Sequence, residues 1–120
     1  MHTEQLKAFC RNCADATETE SGAPHNILVY SIDDKKFAYF KTSEPQKWRF
    51  SVRVTPSQFI ELTDQPNIKP ARYMGRFHWI TIVDVERIDA AVLRKLVECS
   101  YTRALSSLSK KRQSELGKML

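Results

Sequence analysis

The stretch that decides the fold is Trp48-Arg49-Phe50-Ser51-Val52-Arg53-Val54, in which apolar and polar residues alternate without a break. A period of two predicts a strand with one face toward a core, carrying Trp48, Phe50, Val52 and Val54, and another face carrying Arg49, Ser51 and Arg53. Thr55-Pro56 follows at once; threonine is a good N-cap, and proline suits the first helical position. The sequence therefore predicts a strand that leads directly into a short helix, Pro56–Thr63.

Upstream of this stretch the pattern predicts one helix and two more strands. Apolar residues at helical spacing indicate a helix over residues 3–14, and the polar segment 15–24 is typical of an exposed loop. Strands are predicted over Ile27–Ile32 and 36–41, with Asp33-Asp34-Lys35 as the tight connection between them.

Downstream, the sequence predicts an irregular loop over residues 65–76 and a strand over 77–83. A long helix is predicted from near Asp89, and a last helix over 110–120 with Ser109 as its cap. The predicted order is α-β-β-β-α-β-α-α. This order favours an α+β fold, in which an antiparallel sheet of about four or more strands packs against helices on one face.

Composition and charge set limits on the class of protein. A chain of 120 residues with 42% hydrophobic residues is the size of one globular domain, predicted to cover residues 1–120. The net charge of +5 is uneven: residues 1–34 carry two Lys or Arg and six Asp or Glu, and the remainder carries seventeen and eight. A basic middle and C-terminal portion favours a polyanionic partner on one side of the molecule.

Several features indicate a cytoplasmic protein. The N-terminal residues lack the basic, apolar and small-residue pattern of a secretory signal, and no apolar run approaches the roughly 18 residues of a membrane helix. The three cysteines are an odd number, which argues for a reducing compartment. We therefore expect no membrane association and favour a monomer.

The residues that could carry chemistry have simpler structural interpretations. Cys10 and Cys13 have C-x-x-C spacing, but a structural zinc site normally needs four ligands, and a redox pair normally follows a strand. Cys10 instead belongs to the apolar stripe of the first helix. His78, expected within a strand, has no evident catalytic partner, and the three glycines form no phosphate-binding loop. We expect no enzymatic activity, no metal and no cofactor.

Basic residues gather in two places where they could meet a polyanion. Arg49 and Arg53 are predicted to point the same way from one strand, roughly 13 Å apart. The 65–76 loop adds further basic and aromatic residues, Lys69, Arg72, Tyr73 and Arg76. The alternative interpretation is an ordinary solvated face that acidic neighbours neutralise. Lys110-Lys111-Arg112 is interpreted as solvated surface of this ordinary kind, and a tyrosine at position 73 is more often packed in its loop than used as a stacking side chain.

The order of several short motifs resembles that of the MmcQ/YjbR family, over nearly the whole chain from residue 3. The matching motifs are Leu6…Phe9-Cys10, Lys36-Phe37-Ala38, Phe50 to Pro56, Pro66…Ile68 to Tyr73, His78-Trp79-Ile80-Thr81, Ser100-Tyr101 and Leu108 to Arg112. The chain differs at Asp34-Lys35-Lys36, where the family has Gly-Lys before Met-Phe-Ala, and at Arg53, where the family has lysine. The resemblance implies a compact α+β fold likened to a double-wing DNA-binding domain, and members are commonly labelled DNA-binding on that likeness.

We therefore expect weak, largely sequence-independent binding of duplex DNA through a basic sheet face and the adjoining loop. The candidate phosphate contacts are Arg49, Arg53, Lys69, Arg72 and Arg76, with Lys36 and Lys41 as second choices. The alternative is a non-enzymatic adaptor module whose basic face meets an acidic protein. A third possibility is an enzyme with a small-molecule site under the 65–75 loop.

Overall fold

The computed structural model describes residues 1–116. Its helices are α1 (Thr3–Arg11), α2 (Pro56–Thr63), α3 (Ala90–Ser106) and α4 (Lys110–Glu115). Its strands are β1 (Ala16–Ser21), β2 (Ile27–Ile32), β3 (Lys35–Lys41), β4 (Phe50–Arg53), β5 (Ile68–Pro70) and β6 (Trp79–Ile82). Short 3-10 turns occur at Gly75–Phe77 and Val85–Arg87. The predicted helix 110–120 is observed as α4, which ends earlier, at Glu115; residues 117–120 lie outside the described part of the chain.

The six strands form one sheet in the order β1-β2-β3-β4-β6-β5, and every neighbouring pair is antiparallel. The α+β fold predicted from the sequence is thereby confirmed. Strand β1 was not predicted, because the loop prediction for residues 15–24 was wrong. The strand is Thr- and Glu-rich and lies at the sheet edge with four exposed residues, so its sequence has no apolar alternation to reveal it.

Two other strands are shorter than predicted, and in each case a residue with positive φ marks the boundary. Trp48 has φ 68°, so β4 begins at Phe50 and the predicted unbroken strand from Trp48 to Val54 was wrong. His78 has φ 66° and precedes β6, so it does not lie within a strand as predicted. The 65–76 segment was likewise predicted to be wholly irregular, but it contains the short strand β5.

Helix starts were predicted closely because they depend on local hydrogen bonds. Thr55 caps α2 through a capping box with Gln58, and Asp89 caps α3 by accepting from two backbone N–H groups. Ser109 caps α4 by accepting from the backbone N–H of Arg112. These caps satisfy donors that have no partner inside the helix, which is why the boundaries follow from the sequence.

The main hydrophobic cluster lies on one face of the sheet. On that face Phe40, Phe50 and Val52 are fully buried, and they form one cluster with residues of α1 and α3. Partly buried side chains of α2, Phe59 and Leu62, pack against the same cluster. The cross-strand register places a second set of side chains on the opposite face, which we call the helix-free face: Thr17, Thr19, Ser21, Ile27, Val29, Ser31, Lys36, Tyr39, Lys41, Ser51, Arg53, Lys69, Trp79 and Thr81.

The polar edge strand β1 is attached to the core through Glu18. Its Oε2 atom accepts a 2.6 Å hydrogen bond from the hydroxyl of Tyr30 and a 3.0 Å bond from the guanidinium of Arg11. Tyr30 is fully buried, and its ring packs against Phe37 and Phe40. The bond from Tyr30 is the first cause of the lowered pKa of Glu18, and the bond from Arg11 lowers the pKa further.

Replacing Tyr30 with phenylalanine is expected to lower the free energy of unfolding by about 1–2 kcal/mol at neutral pH, because a partly buried hydrogen bond to a carboxylate is lost. Since the pKa of Glu18 is lowered in the folded protein, its contribution is complete above the usual value of 4.5 and is lost as the pH falls through the folded value. The difference between wild type and variant should therefore shrink in acid. Urea unfolding at neutral pH and near pH 3 checks this, and an unchanged difference would contradict it.

Candidate nucleic-acid interface

The helix-free face carries positive charge without carboxylates. Among its strand residues, all within the described part of the chain, there is no Asp or Glu, whereas four are cations: Lys36, Lys41, Arg53 and Lys69. The face is not uniformly open, because Ser51 and Trp79 are buried near its centre. The hydroxyls of Ser51 and Thr81 lie 2.7 Å apart there, and the ring of Trp79 packs 5.6 Å from that of Tyr39. Ser51 thus lies on the face opposite the core, as the alternation predicted, but it is buried there.

The 71–77 loop connects β5 to β6 beside this face. Ala71 is buried and its N–H donates to the carbonyl of Trp79, which fixes the start of the loop. Gly75 lies so close to Pro70 that an added Cβ would stand 3.2 Å from the proline Cβ, and the glycine permits this approach. The backbone of the loop is thus held against the end of the sheet while its long side chains extend outward.

This loop carries two pairs of neighbouring residues in which an arginine precedes an aromatic ring, Arg72-Tyr73 and Arg76-Phe77. Tyr73 has φ 67° and is 82% exposed, so the expectation of a tyrosine packed within its loop was wrong. The guanidinium of Arg72 lies 5.0 Å from the centroid of the Tyr73 ring, and that of Arg76 lies 4.7 Å from the centroid of Phe77. A left-handed backbone at Tyr73 turns its side chain away from the core, and neighbouring arginines cover part of each ring.

The structure brings five of the seven predicted contact residues to the same region. Strand β3 begins, β4 ends, β5 ends and β6 begins at one end of the sheet. Lys36, Arg53, Lys69, Arg72 and Arg76 all belong to that end or to the loop beside it. Lys69 and Arg53 are separated by two strand spacings, roughly 10 Å across the sheet.

The other two predicted contacts, Arg49 and Lys41, lie at the opposite end of the sheet. Arg49 precedes β4, and its carbonyl accepts from the N–H of Lys41. The ammonium of Lys41 donates to the carbonyl of His25 at 2.9 Å. The expectation that Arg49 and Arg53 share one regular strand was wrong, because the left-handed backbone at Trp48 stops the strand before it reaches Arg49.

Arg53 is recessed, unlike the exposed cations of the loop. Its Nε atom is buried and has no hydrogen-bond partner within residues 1–116. Burial lowers the pKa of Arg53, and the nearby positive charge of Arg103 lowers it further. Arg53 therefore occupies an environment that disfavours a cation unless an anion is added.

The hydroxyl of Ser100, in α3, bridges strands β3 and β4 beside Arg53. Its hydroxyl donates to the carbonyl of Phe37 at 2.6 Å and accepts from the N–H of Arg53 at 3.2 Å. Ladder pairing between β3 and β4 stops one step before this point, at Ala38 and Val52. The serine hydroxyl thus stands where the next ladder bond would form, and it satisfies two backbone groups that would otherwise be unpaired.

Ser100 and Arg103 were not predicted from the sequence to lie at this site. Ser100 is the polar member of the buried stripe of α3, between Val97 and Ala104, and a small polar residue in such a stripe is the signal that could have identified it. Arg103 was interpreted as pointing away from the buried face, and no local pattern connects it to Arg53, fifty residues earlier in the chain.

The cysteines lie where the apolar interpretation predicted. Cys10 and Cys13 are both buried, and burial raises the pKa of Cys13 to about 11, with a smaller contribution from Glu98. Burial also raises the pKa of Cys10, followed by the effects of Cys13 and Glu18. Both thiols are therefore held in their unreactive protonated form. Within residues 1–116 no three His, Cys, Asp or Glu side chains group in a way that could hold a metal ion.

His78 has a structural setting. Its ring meets that of Phe59 edge to face at 5.6 Å, and its backbone turns the chain into β6.

None of the helices in the described part of the chain combines the length and apolar character needed to span a bilayer.

Two solved structures share this fold. The Deinococcus radiodurans protein DR2400, assigned to the domain family DUF419, superposes with a TM-score of 0.81 at 22% identity, covering 95% of this chain and 86% of its own. A Pseudomonas syringae protein, solved as a structural-genomics target, superposes with a TM-score of 0.69 at 20% identity, covering 87% of this chain and 99% of its own. At these identities the likeness concerns the fold alone.

Sequence comparison supplies the family. The uncharacterized protein YbdF of Escherichia coli O157:H7 is 31% identical over 74 residues, which are 62% of this chain and 52% of that relative. The chain thus spans about half the length of this relative. The family model described as YjbR matches residues 12–103, more than half of the chain. This chain belongs to the YjbR family.

Proposed function

We propose that this protein binds duplex DNA weakly and with little sequence preference, without enzymatic activity, through the helix-free face and the 71–77 loop. The observation that carries the proposal is the absence of carboxylates among the strand residues of that face, beside a loop with two exposed arginines. Nucleic acid offers a dense line of phosphates, and cations without internal ion pairs are the groups that neutralise them.

The exposed cations near the loop supply the contacts. Lys36, Lys69, Arg72 and Arg76 are all exposed, and none belongs to an ion pair within the described residues. Such contacts position a protein on the phosphate backbone and carry no base information, which accounts for the expected lack of sequence preference. Tyr73 lies between the two loop arginines and is the side chain best exposed to stack on a base or press into the minor groove.

The arrangement also explains why the binding is expected to be weak. Four phosphate contacts fall well short of the number made by tight DNA-binding proteins, and the two cations at the far end of the sheet, Arg49 and Lys41, lie outside this cluster. Lys41 is already engaged with a backbone carbonyl.

The salt dependence of binding tests the proposal. Fluorescence anisotropy of a labelled duplex of about 20 base pairs should give a slope of log K against log salt near −3.6, as expected for four neutralised phosphates. Two duplexes of unrelated sequence should bind with closely similar affinity. An acidic polypeptide such as polyglutamate should bind with a shallower slope, because it lacks the condensed counterions of DNA. Absence of duplex binding at low salt, with polyglutamate still bound, would contradict DNA binding and favour the adaptor function.

A further inference from the structure

A cleft of about 430 Å³ lies at the end of the sheet beside Arg53. One wall comes from the last turns of α3, which carry Arg103, and the other includes Met74 and Trp79. Lys35 and Lys36 border it at the start of β3. The volume falls within the range of small-molecule sites and exceeds what a single inorganic ion requires.

Positive charge dominates this cleft. Four cations line it, and Asp34 is the carboxylate among its lining residues within the described part of the chain. The four ion pairs of the described residues involve none of these five side chains, since their cations are Lys7, Arg11 and Arg112. The C-terminal end of α3 contributes roughly half a negative charge, which the cations exceed.

Arg53 has an unused donor at this place. Its Nε–H is buried, and neither a carboxylate nor a carbonyl of the described residues accepts from it. A buried donor without a partner costs free energy, and a second guanidinium nearby, that of Arg103, adds repulsion. A bound oxyanion would relieve the repulsion, because guanidinium groups donate charge-assisted and often paired hydrogen bonds to oxyanions.

The cleft also offers an apolar surface next to these charges. Trp79 is 3% exposed and forms part of the wall, with Met74 of the 71–77 loop beside it. The hydroxyls of Ser106 and Ser107 donate to carbonyls of their own helix, so they are not the main ligands. The chemistry of the cleft is therefore a pair of guanidinium groups at one side and an apolar wall at the other.

We propose that this cleft binds a phosphate monoester, with the phosphate between Arg53 and Arg103 and the attached organic group against Met74 and Trp79. The site shares Lys36 with the proposed duplex interface but is separate from the exposed cations Lys69, Arg72 and Arg76, so its occupancy can be tested in a variant that lacks those three. Two sources share this chemistry: a free nucleoside monophosphate and the 5′-phosphate at the end of a DNA strand.

The side-chain Nε–H resonance of Arg53 reports directly on occupancy. In ¹H–¹⁵N NMR spectra, adenosine 5′-monophosphate should shift this resonance saturably, inorganic phosphate should shift it with lower affinity, and adenosine should leave it unchanged. Arg103→Gln should weaken the binding of adenosine 5′-monophosphate by about tenfold or more, because the charge-assisted hydrogen bonds from this guanidinium to the phosphate are lost. The matched control Arg94→Gln removes the same charge from an exposed position of α3 and should have no effect.

Two further measurements distinguish a free nucleoside monophosphate from a DNA 5′-phosphate, and the cleft from the duplex interface. A short duplex with 5′-phosphates should compete with the monophosphate if strand ends are the ligand, and the same duplex without them should not. The Lys69→Glu/Arg72→Glu/Arg76→Glu variant should retain the monophosphate shift even where duplex binding is lost. A shift that rises linearly without saturation, or that is equal in Arg103→Gln and Arg94→Gln, would overturn the site while leaving the duplex proposal standing.

Discussion

The triple variant Lys69→Glu/Arg72→Glu/Arg76→Glu is expected to lose at least about 500-fold in affinity for duplex DNA at 0.1 M salt. The magnitude follows from counterion release, because each neutralised phosphate contributes about −0.9 to the slope of log K against log salt. At 0.1 M salt the loss of three phosphate contacts therefore lowers log K by roughly 2.7. Charge reversal adds repulsion from the phosphates to this loss. The remaining slope of log K against log salt should fall from near −3.6 to about −0.9 or less.

A matched control separates this local effect from net charge. Arg87→Glu/Arg94→Glu/Lys95→Glu changes the total charge by the same amount, at exposed positions in and near α3 rather than on the helix-free face. We expect this variant to retain most of the affinity and nearly the full salt slope. An equal loss in the two triple variants would show that binding responds to overall charge, and it would contradict an interface at the loop.

Ser100→Ala is expected to lower the free energy of unfolding by about 2–3 kcal/mol, a large effect for the loss of one oxygen atom. The hydroxyl satisfies the carbonyl of Phe37 and the N–H of Arg53 at once, and each buried backbone group left without a partner costs about 1–3 kcal/mol. Ser100 is 2% exposed, so water has little access to the two backbone groups that would lose their partner. Urea denaturation with an unchanged m-value would measure the loss.

Ser106→Ala is the control for that measurement. Ser106 lies on the same helix and is exposed, and its hydroxyl donates to the carbonyl of Arg103 one turn earlier. Its replacement should change the stability by no more than about 0.5 kcal/mol, as is usual for surface sites. If Ser100→Ala were equally mild, the hydroxyl would not be the bridge between β3 and β4.

The parts of the fold that could be predicted from the sequence are those determined by local chemistry. Strand β2 and helix α2 were placed at their observed bounds, because the apolar, β-branched composition of the first and the Thr55-Pro56 start of the second depend on neighbouring residues. The buried stripe of α3 was also predicted, since Leu93, Val97 and Tyr101 repeat at helical spacing.

The parts that could not be predicted depend on distant partners. Strand β1 has no apolar pattern of its own and exists through its ladder with β2 and the bond from Tyr30 to Glu18. The strand is interrupted because Trp48 has a positive φ, which the sequence does not indicate since the residue is not glycine. Arg49 therefore lies outside the strand in which it was predicted. For the candidate site, the loop cations were identified by composition, but Arg53 lies beside Ser100 and Arg103, which are distant in the chain, 47 positions away in the case of Ser100.

Mapping the bound duplex onto the protein by NMR tests the central proposal most directly. Backbone amide resonances of uniformly ¹⁵N-labelled protein would be followed at low salt as a duplex of about 20 base pairs is added. The proposal predicts that the largest changes occur at Lys69, at Lys36 and through the 71–77 loop, and that they disappear when salt is raised. Changes confined to the exposed faces of α1 and α3, or no changes at all, would contradict an interface on the helix-free face.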